Sequence, residues 1–321
     1  MAGIDGHGPA GGRMSTRALV EGALLTAITI LFCVLDAYIP IFALVYPVPI
    51  VVLVVRRGVR AGALATFIAV LGTSALTGPL QGLTVLAKVG IVGITLGACL
   101  NRRLSAARTI ILTGVAVVVS VGLTLAVSIL VFDFNLGQLT QAVEEGLRRS
   151  IDIYRSIGLS QKDLAMLEQN LRQLVDIMKM TLPAAMFLAV AMISFIDFTI
   201  ARLVLKRLGH EVASLPQFSQ WRIPWYWGWG YIAGGAIMLL GQGHKMDLAF
   251  KAGLNIMTVF SYVFLIQGLA LVWFFMDKYR VSTAMRVLLV FFIIITRFLS
   301  QLLVWVGLFD AWLDLRKLAR K

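Results

Sequence analysis

Apolar residues along the chain gather into nine long runs, 18–35, 37–55, 61–79, 80–100, 108–132, 182–205, 226–243, 248–276 and 283–309, separated by polar or charged segments. A helix rising about 1.5 Å per residue needs about 20 apolar residues to cross the hydrocarbon core of a bilayer, and the runs are near that length. The roughly 10-residue alternation of an outer-membrane barrel is missing, so backbone groups placed in lipid have to be bonded within helices. The pattern predicts an all-α polytopic membrane protein with eight or nine spans. Pro40, Pro47 and Pro49 interrupt the second run, which should be kinked or partly unwound near its start. Glycine pairs at GxxxG spacing, Gly58/Gly62, Gly93/Gly97 and Gly230/Gly234, mark close helix packing.

Residues 133–181 form the one long polar insert, and with the N-terminus inside the cell it lies outside. Leu139, Val143, Leu147, Ile151 and Tyr154 recur at helical spacing, as do Leu164, Leu167, Leu171, Leu174 and Met178, with Gly158 and Ser160 breaking the pattern. The insert should be a helical hairpin capping the bundle, or else a lid or partner-docking element. Residues 1–14 are Gly-rich and should be disordered, and Met14 opens a more usual start. The expected organisation is therefore a disordered 1–14, a membrane core over 15–207 that includes the insert, and C-terminal membrane helices with an amphipathic basic tail over 208–321.

Composition removes several functions. With 59% hydrophobic and 14% charged residues in 321, a soluble enzyme is excluded. The net charge of +13 would suggest nucleic acid in a soluble domain, but here most basic residues sit in short loops at span ends, so no nucleic-acid partner is expected. A cytoplasmic N-terminus puts Arg56, Arg57, Arg60, Arg102, Arg103, Lys206, Arg207, Lys278 and Arg280 inside, the arrangement expected of a bacterial inner-membrane protein. The tail with Arg316, Lys317, Arg320 and Lys321 is inside with eight spans and outside with nine; hydropathy favours nine and charge favours eight. Cys33 and Cys99 lie alone in apolar runs, so neither a disulfide framework nor a metal site is indicated. There is no GxxxxGK[ST] loop and no HExxH, and His7, His210 and His244 are scattered, so neither an enzyme nor a cofactor is expected.

Charge inside the membrane is the sharper signal. Lys88, Asp197 and Arg297 lie deep in apolar runs, and each costs about 2.5–3.5 kcal/mol unless paired. Counted along straight helices from their outer ends, Lys88 lies about 12 Å deep, Arg297 about 18 Å and Asp197 about 22 Å. The match in depth predicts an Asp197–Arg297 ion pair and leaves Lys88 as a cation nearer the outer mouth. Lys88 either snorkels or meets a loop carboxylate, or it meets the carboxylate or phosphate of an anionic ligand. Asn255 and Gln267 could supply neutral hydrogen bonds to that ligand, or act as glue between helices. Trp221, Trp225, Tyr226, Trp227, Trp229 and Tyr231 crowd together as an anchoring belt expected at the head-group level.

The first two spans, YPVPIVVLVVRRGVRAG at 46–62, TGPLQG at 77–82 and GLFDAWLDLRK at 307–317 resemble the YybS-like family of bacterial multi-pass membrane proteins. That family is similar to the substrate-binding S components of energy-coupling factor transporters, a likeness that covers residues 15–207. S components dock on an energising transmembrane subunit through an AxxxA-type face of their first helix. The resemblance implies such a face at Ala23 and Ala27, extended by Ala18 and Gly22. It implies a protein that binds a small solute from outside and takes part in its transport. The insert and the spans after residue 207 depart from that pattern and favour the alternative, a membrane scaffold or regulator without transport activity.

Overall fold

The computed structural model describes residues 16–132, 135–243 and 246–316. The stretch 1–14, expected to be disordered, lies outside the described residues. All regular elements among the described residues are helical. They fall into two compact units. The described residues before Asn135, with Val190–Ser214, form the first; Asn135–Ala189, with those from Leu215 onward, form the second.

The first unit is built around its shortest span. Helix α2 (Val48–Arg57) is apolar all round up to Val55, and Val48 to Val54 are all buried, as a segment without a polar face requires. Helices α1 (Thr16–Asp36), α3 (Val59–Thr77) and α5 (Ile94–Asn101) pack against it. A Cβ added to Gly62 would lie 2.3 Å from a Val54 methyl, and one on Gly97 would lie 2.7 Å from Val54 Cβ, so both glycines are required by close approach. As the prolines predict, the run before α2 is broken into a 3₁₀ turn, Pro40–Leu44. Gly58, at φ +86°, is the one residue between α2 and α3. Gly78, at φ +99°, joins α3 to α4 (Pro79–Val85). A π-helical stretch, Leu86–Gly93, joins α4 to α5 in one span, and α6 (Ala106–Phe132) follows.

The second unit opens with α7 (Leu136–Ser156), and α8 (Gln161–Arg207) links the units. The expected break between the insert's helices is present, with Gly158 at φ +92° and the Ser160 hydroxyl accepting from the Asp163 amide at 3.2 Å. The second helix does not stop at the membrane, however. It continues into the span as one 47-residue helix, and the insert groups with the C-terminal helices instead of the first spans.

Helices α9 (Trp227–Gly243) and α10 (Asp247–Lys278) run antiparallel, with Gly230, Gly234 and Gly241 against Phe260, Ile256 and Phe250. The run 283–309, expected to be one span, is two helices, α11 (Thr283–Ile295) and α12 (Arg297–Leu313), bent by 101°. Gly307 packs on Phe264 and Gly268 on Leu303, so α12 runs against the direction of α10. Among the described residues, seven helical segments are long and apolar enough to cross a membrane, or eight if the bent pair is one span. The all-α polytopic fold stands, while the count by helix length and hydropathy falls below nine because α9 alone has only 17 residues.

Candidate functional site

In the first unit, four segments bring ionisable side chains together. Asp36 is the last residue of α1, Tyr46 stands just before α2, Lys88 is the third residue of the π stretch, and Asp197 projects from α8. The i→i+5 bonding of a π stretch widens the turn and re-aims its side chains, and such turns are frequent at functional sites. Lys88 Nζ stands 5.6 Å from the centre of the Tyr46 ring, in cation–π range. Its ammonium interacts electrostatically with both Asp36 and Asp197, and with the Cys33 thiol. Asp197, Tyr46 and Cys33 are 4%, 3% and 1% exposed, whereas Lys88 is exposed and Asp36 half-buried.

Contacts within this cluster are incomplete. Among the described residues no carboxylate lies within 4 Å of Lys88. Asp36 interacts with the Ala43 amide, yet its Oδ1 is buried with no hydrogen-bond partner among the described residues. The charges thus interact without a contact ion pair among the described residues. With all three ionised, the cluster carries one net negative charge.

Lys88 and Asp197, two residues singled out by depth, are therefore brought together, but not in the expected arrangement. Arg297 is exposed, in the other unit, at the first position of α12. It stands about 9 Å from Leu303 toward the charged Asp277–Lys278 end of α10. The depth match behind an Asp197–Arg297 pair holds only along a straight helix. The 101° bend removes it, and the electrostatic partner of Asp197 is Lys88. Asp36 was missed because it ends its apolar run and reads as a boundary residue; its place before a Pro-rich turn was the only signal.

Asn255 and Gln267, expected near Lys88, belong to the second unit and are engaged by protein groups. Pro183 lies inside α8, where its ring disturbs the preceding turn. The Asn255 amide fills the opening: Nδ2 donates to Met180 O at 2.8 Å and to Lys251 O at 2.7 Å, and Oδ1 accepts from the Ala184 amide at 2.8 Å. It thus bridges the donor and acceptor that an unbroken helix would join directly. Gln267 Oε1 accepts from the Ile223 amide at 3.1 Å, and its Nε2 donates to Asp310 at 2.5 Å.

The small-residue face of α1 divides in two. Ala18 is buried and Gly22 faces Leu53 of α2, its added Cβ lying 3.9 Å away, whereas Ala23 and Ala27 are exposed beside the exposed Leu19, Val20 and Leu24.

A family described as "Predicted membrane protein (DUF2232)" matches residues 27–311. A Bacillus subtilis protein described as "Uncharacterized protein YybS" is 23% identical over 282 residues, covering 86% of this chain and 89% of that protein. No solved structure matches.

Proposed function

The chain belongs to the DUF2232 family of predicted membrane proteins, and from that premise we propose that it binds a small solute in the membrane at Lys88, Asp36, Asp197 and Tyr46 and takes part in its transport. The observation that carries this reading is a lysine within a span that interacts electrostatically with two carboxylates and stands over the Tyr46 ring, with no contact ion pair to either carboxylate among the described residues. Ionisable groups within spans are costly and are functional by default. The charge balance also revises the solute class. With both ionised, the two carboxylates outweigh Lys88, so an anion would take the net charge from −1 to −2, whereas a solute with one net positive charge neutralises the filled site, which a low dielectric favours. A solute carrying an ammonium for the carboxylates and an acceptor for Lys88 fits best.

The protein acts as a binder and not as an enzyme, in a bacterial inner membrane with its N-terminus in the cytoplasm. Without a P-loop of its own, ATP-driven transport would come from a separate energising subunit, for which Ala23 and Ala27 offer a close-approach face.

Mass spectrometry of the gently solubilised protein tests the reading. The wild type should carry a small cationic molecule that both Asp197→Asn and Lys88→Met lose while keeping their melting temperature within a few degrees. A wild type that carries no small molecule but retains a stable protein partner would support the scaffold reading in its place.

A further inference from the structure

A second polar cluster lies in the other unit and takes no part in the solute site. Arg316 follows α12 after a reversal at Asp314, whose φ of +48° is left-handed. Its Nη1 donates to Ser219 O at 2.7 Å, and Nη2 donates to Trp221 O at 2.7 Å and to Asp310 Oδ2 at 2.8 Å. The side chains of both Asp310 and Arg316 are 1% exposed. The cluster lies about 16 Å from the Lys278 end of α10, judged by Gln267.

Among the described residues, the guanidinium's hydrogen-bond partners are two main-chain carbonyls and one carboxylate. The fit is incomplete. An arginine and a carboxylate frequently make two parallel hydrogen bonds, but here one is made, and Asp310 Oδ1 and Arg316 Nε are buried with no hydrogen-bond partner among the described residues. The acceptors also have supports other than Arg316. Gln267 ties Asp310 to the Ile223 amide, and Trp312 Nε1 donates to Trp225 O at 2.9 Å. The neighbouring charges, Arg222 and Asp314, pair with each other at 3.5 Å.

We propose that Asp310 Oδ2, Ser219 O and Trp221 O form a cation site that the chain's own Arg316 occupies as a tethered cation, and that a free cation of the guanidinium or ammonium class enters when Arg316 withdraws. Withdrawal requires no helix to unwind, because Arg316 lies beyond the reversal that ends α12. An empty cage would leave a buried carboxylate uncompensated, a strongly unfavourable state. Withdrawal is thereby coupled to cation entry.

The test uses the full chain in detergent or nanodiscs. Arg316→Ala should lower the melting temperature by about 5–10 °C. Guanidinium at about 10 mM, against sodium chloride of equal ionic strength, should restore at least half of that loss saturably and shift tryptophan fluorescence. The wild type, with its site filled, and the double variant Arg316→Ala/Asp310→Asn should not respond. Should Arg316→Ala fail to fold, Arg316→Lys, whose ammonium cannot reach all three acceptors, gives the same comparison and should also gain stability from guanidinium. A response no larger than that to sodium, or one equal in the double variant, overturns the proposal.

Discussion

A single polar residue in an apolar run carries little information until its partner is known, and Asn255 shows why. Its isolation in the run 248–276 was visible, but the amide it satisfies belongs to Ala184, 71 residues earlier. If Asn255 serves as a joint for the Pro183 break, the two residues are energetically coupled. Asn255→Ala leaves the Met180 carbonyl and Ala184 amide without their bridge and should cost about 2–3 kcal/mol. Replacing Pro183 by Ala restores the N–H and removes the ring, so Ala184 can bond Met180 directly. In that background Asn255→Ala should cost less than about 1 kcal/mol. Equal costs in both backgrounds, by reversible unfolding in detergent, would show that the amide does something else. Lys88 illustrates the complementary case, because its placement in a span was legible while its carboxylate partners came from α1 and α8.

Elements were legible where a breaker residue marked them. Pro40, Pro47 and Pro49 announce the 3₁₀ turn and the restart of α2. The π stretch LAKVGIVG holds no proline, and the bend at Thr296 has neither proline nor glycine beside it. That bend is stabilised later in the sequence: the Ser300 hydroxyl donates to Ile293 O, a carbonyl near the end of α11, at 2.7 Å. The aromatic cluster moves for a similar reason. Head-group anchoring assumed that α9 begins at the membrane surface. Instead, Trp227 faces Phe260 at 6.0 Å, about 20 Å from the Asp247 end of α10 and about 27 Å from the Lys278 end. The Trp227 ring therefore lies beside the middle of α10, whereas Trp221, through Phe218, lies toward Trp273. In a variant keeping only Trp227 and Trp229, lipids brominated deep in the acyl chain should quench fluorescence more than a head-group quencher. The opposite order would return the cluster to the interface.

For the whole molecule, composition and run length sufficed for the all-α membrane class, but they left the number of crossings open, and the structure supplies a physical argument for it. Helix α9, at 17 residues or about 26 Å, is too short for a hydrocarbon core of about 30 Å. The strip that leads into α9 extends it along α10, with the Phe218 ring 6.0 Å from that of Trp273 and the Ile223 amide on Gln267. Non-helical backbone is tolerated at membrane depth only where protein satisfies it, and here Arg316 and Gln267 bond the Ser219 and Trp221 carbonyls and the Ile223 amide. Residues 215–243 together should therefore make one crossing that neither α9 nor its hydropathy makes alone. Cysteine labelling can decide this, since the native Cys33 and Cys99 are both buried. Leu208→Cys, Leu159→Cys and Tyr279→Cys place thiols at exposed positions after α8, before α8 and after α10. An impermeant maleimide should reach positions 208 and 279 from the same side and position 159 from the other. This arrangement also puts Lys206 and Arg207 on one side with Lys278 and Arg280, as the distribution of basic charge requires. If 215–243 stays on one side, α10 alone separates its ends, and position 279 will be labelled together with 159.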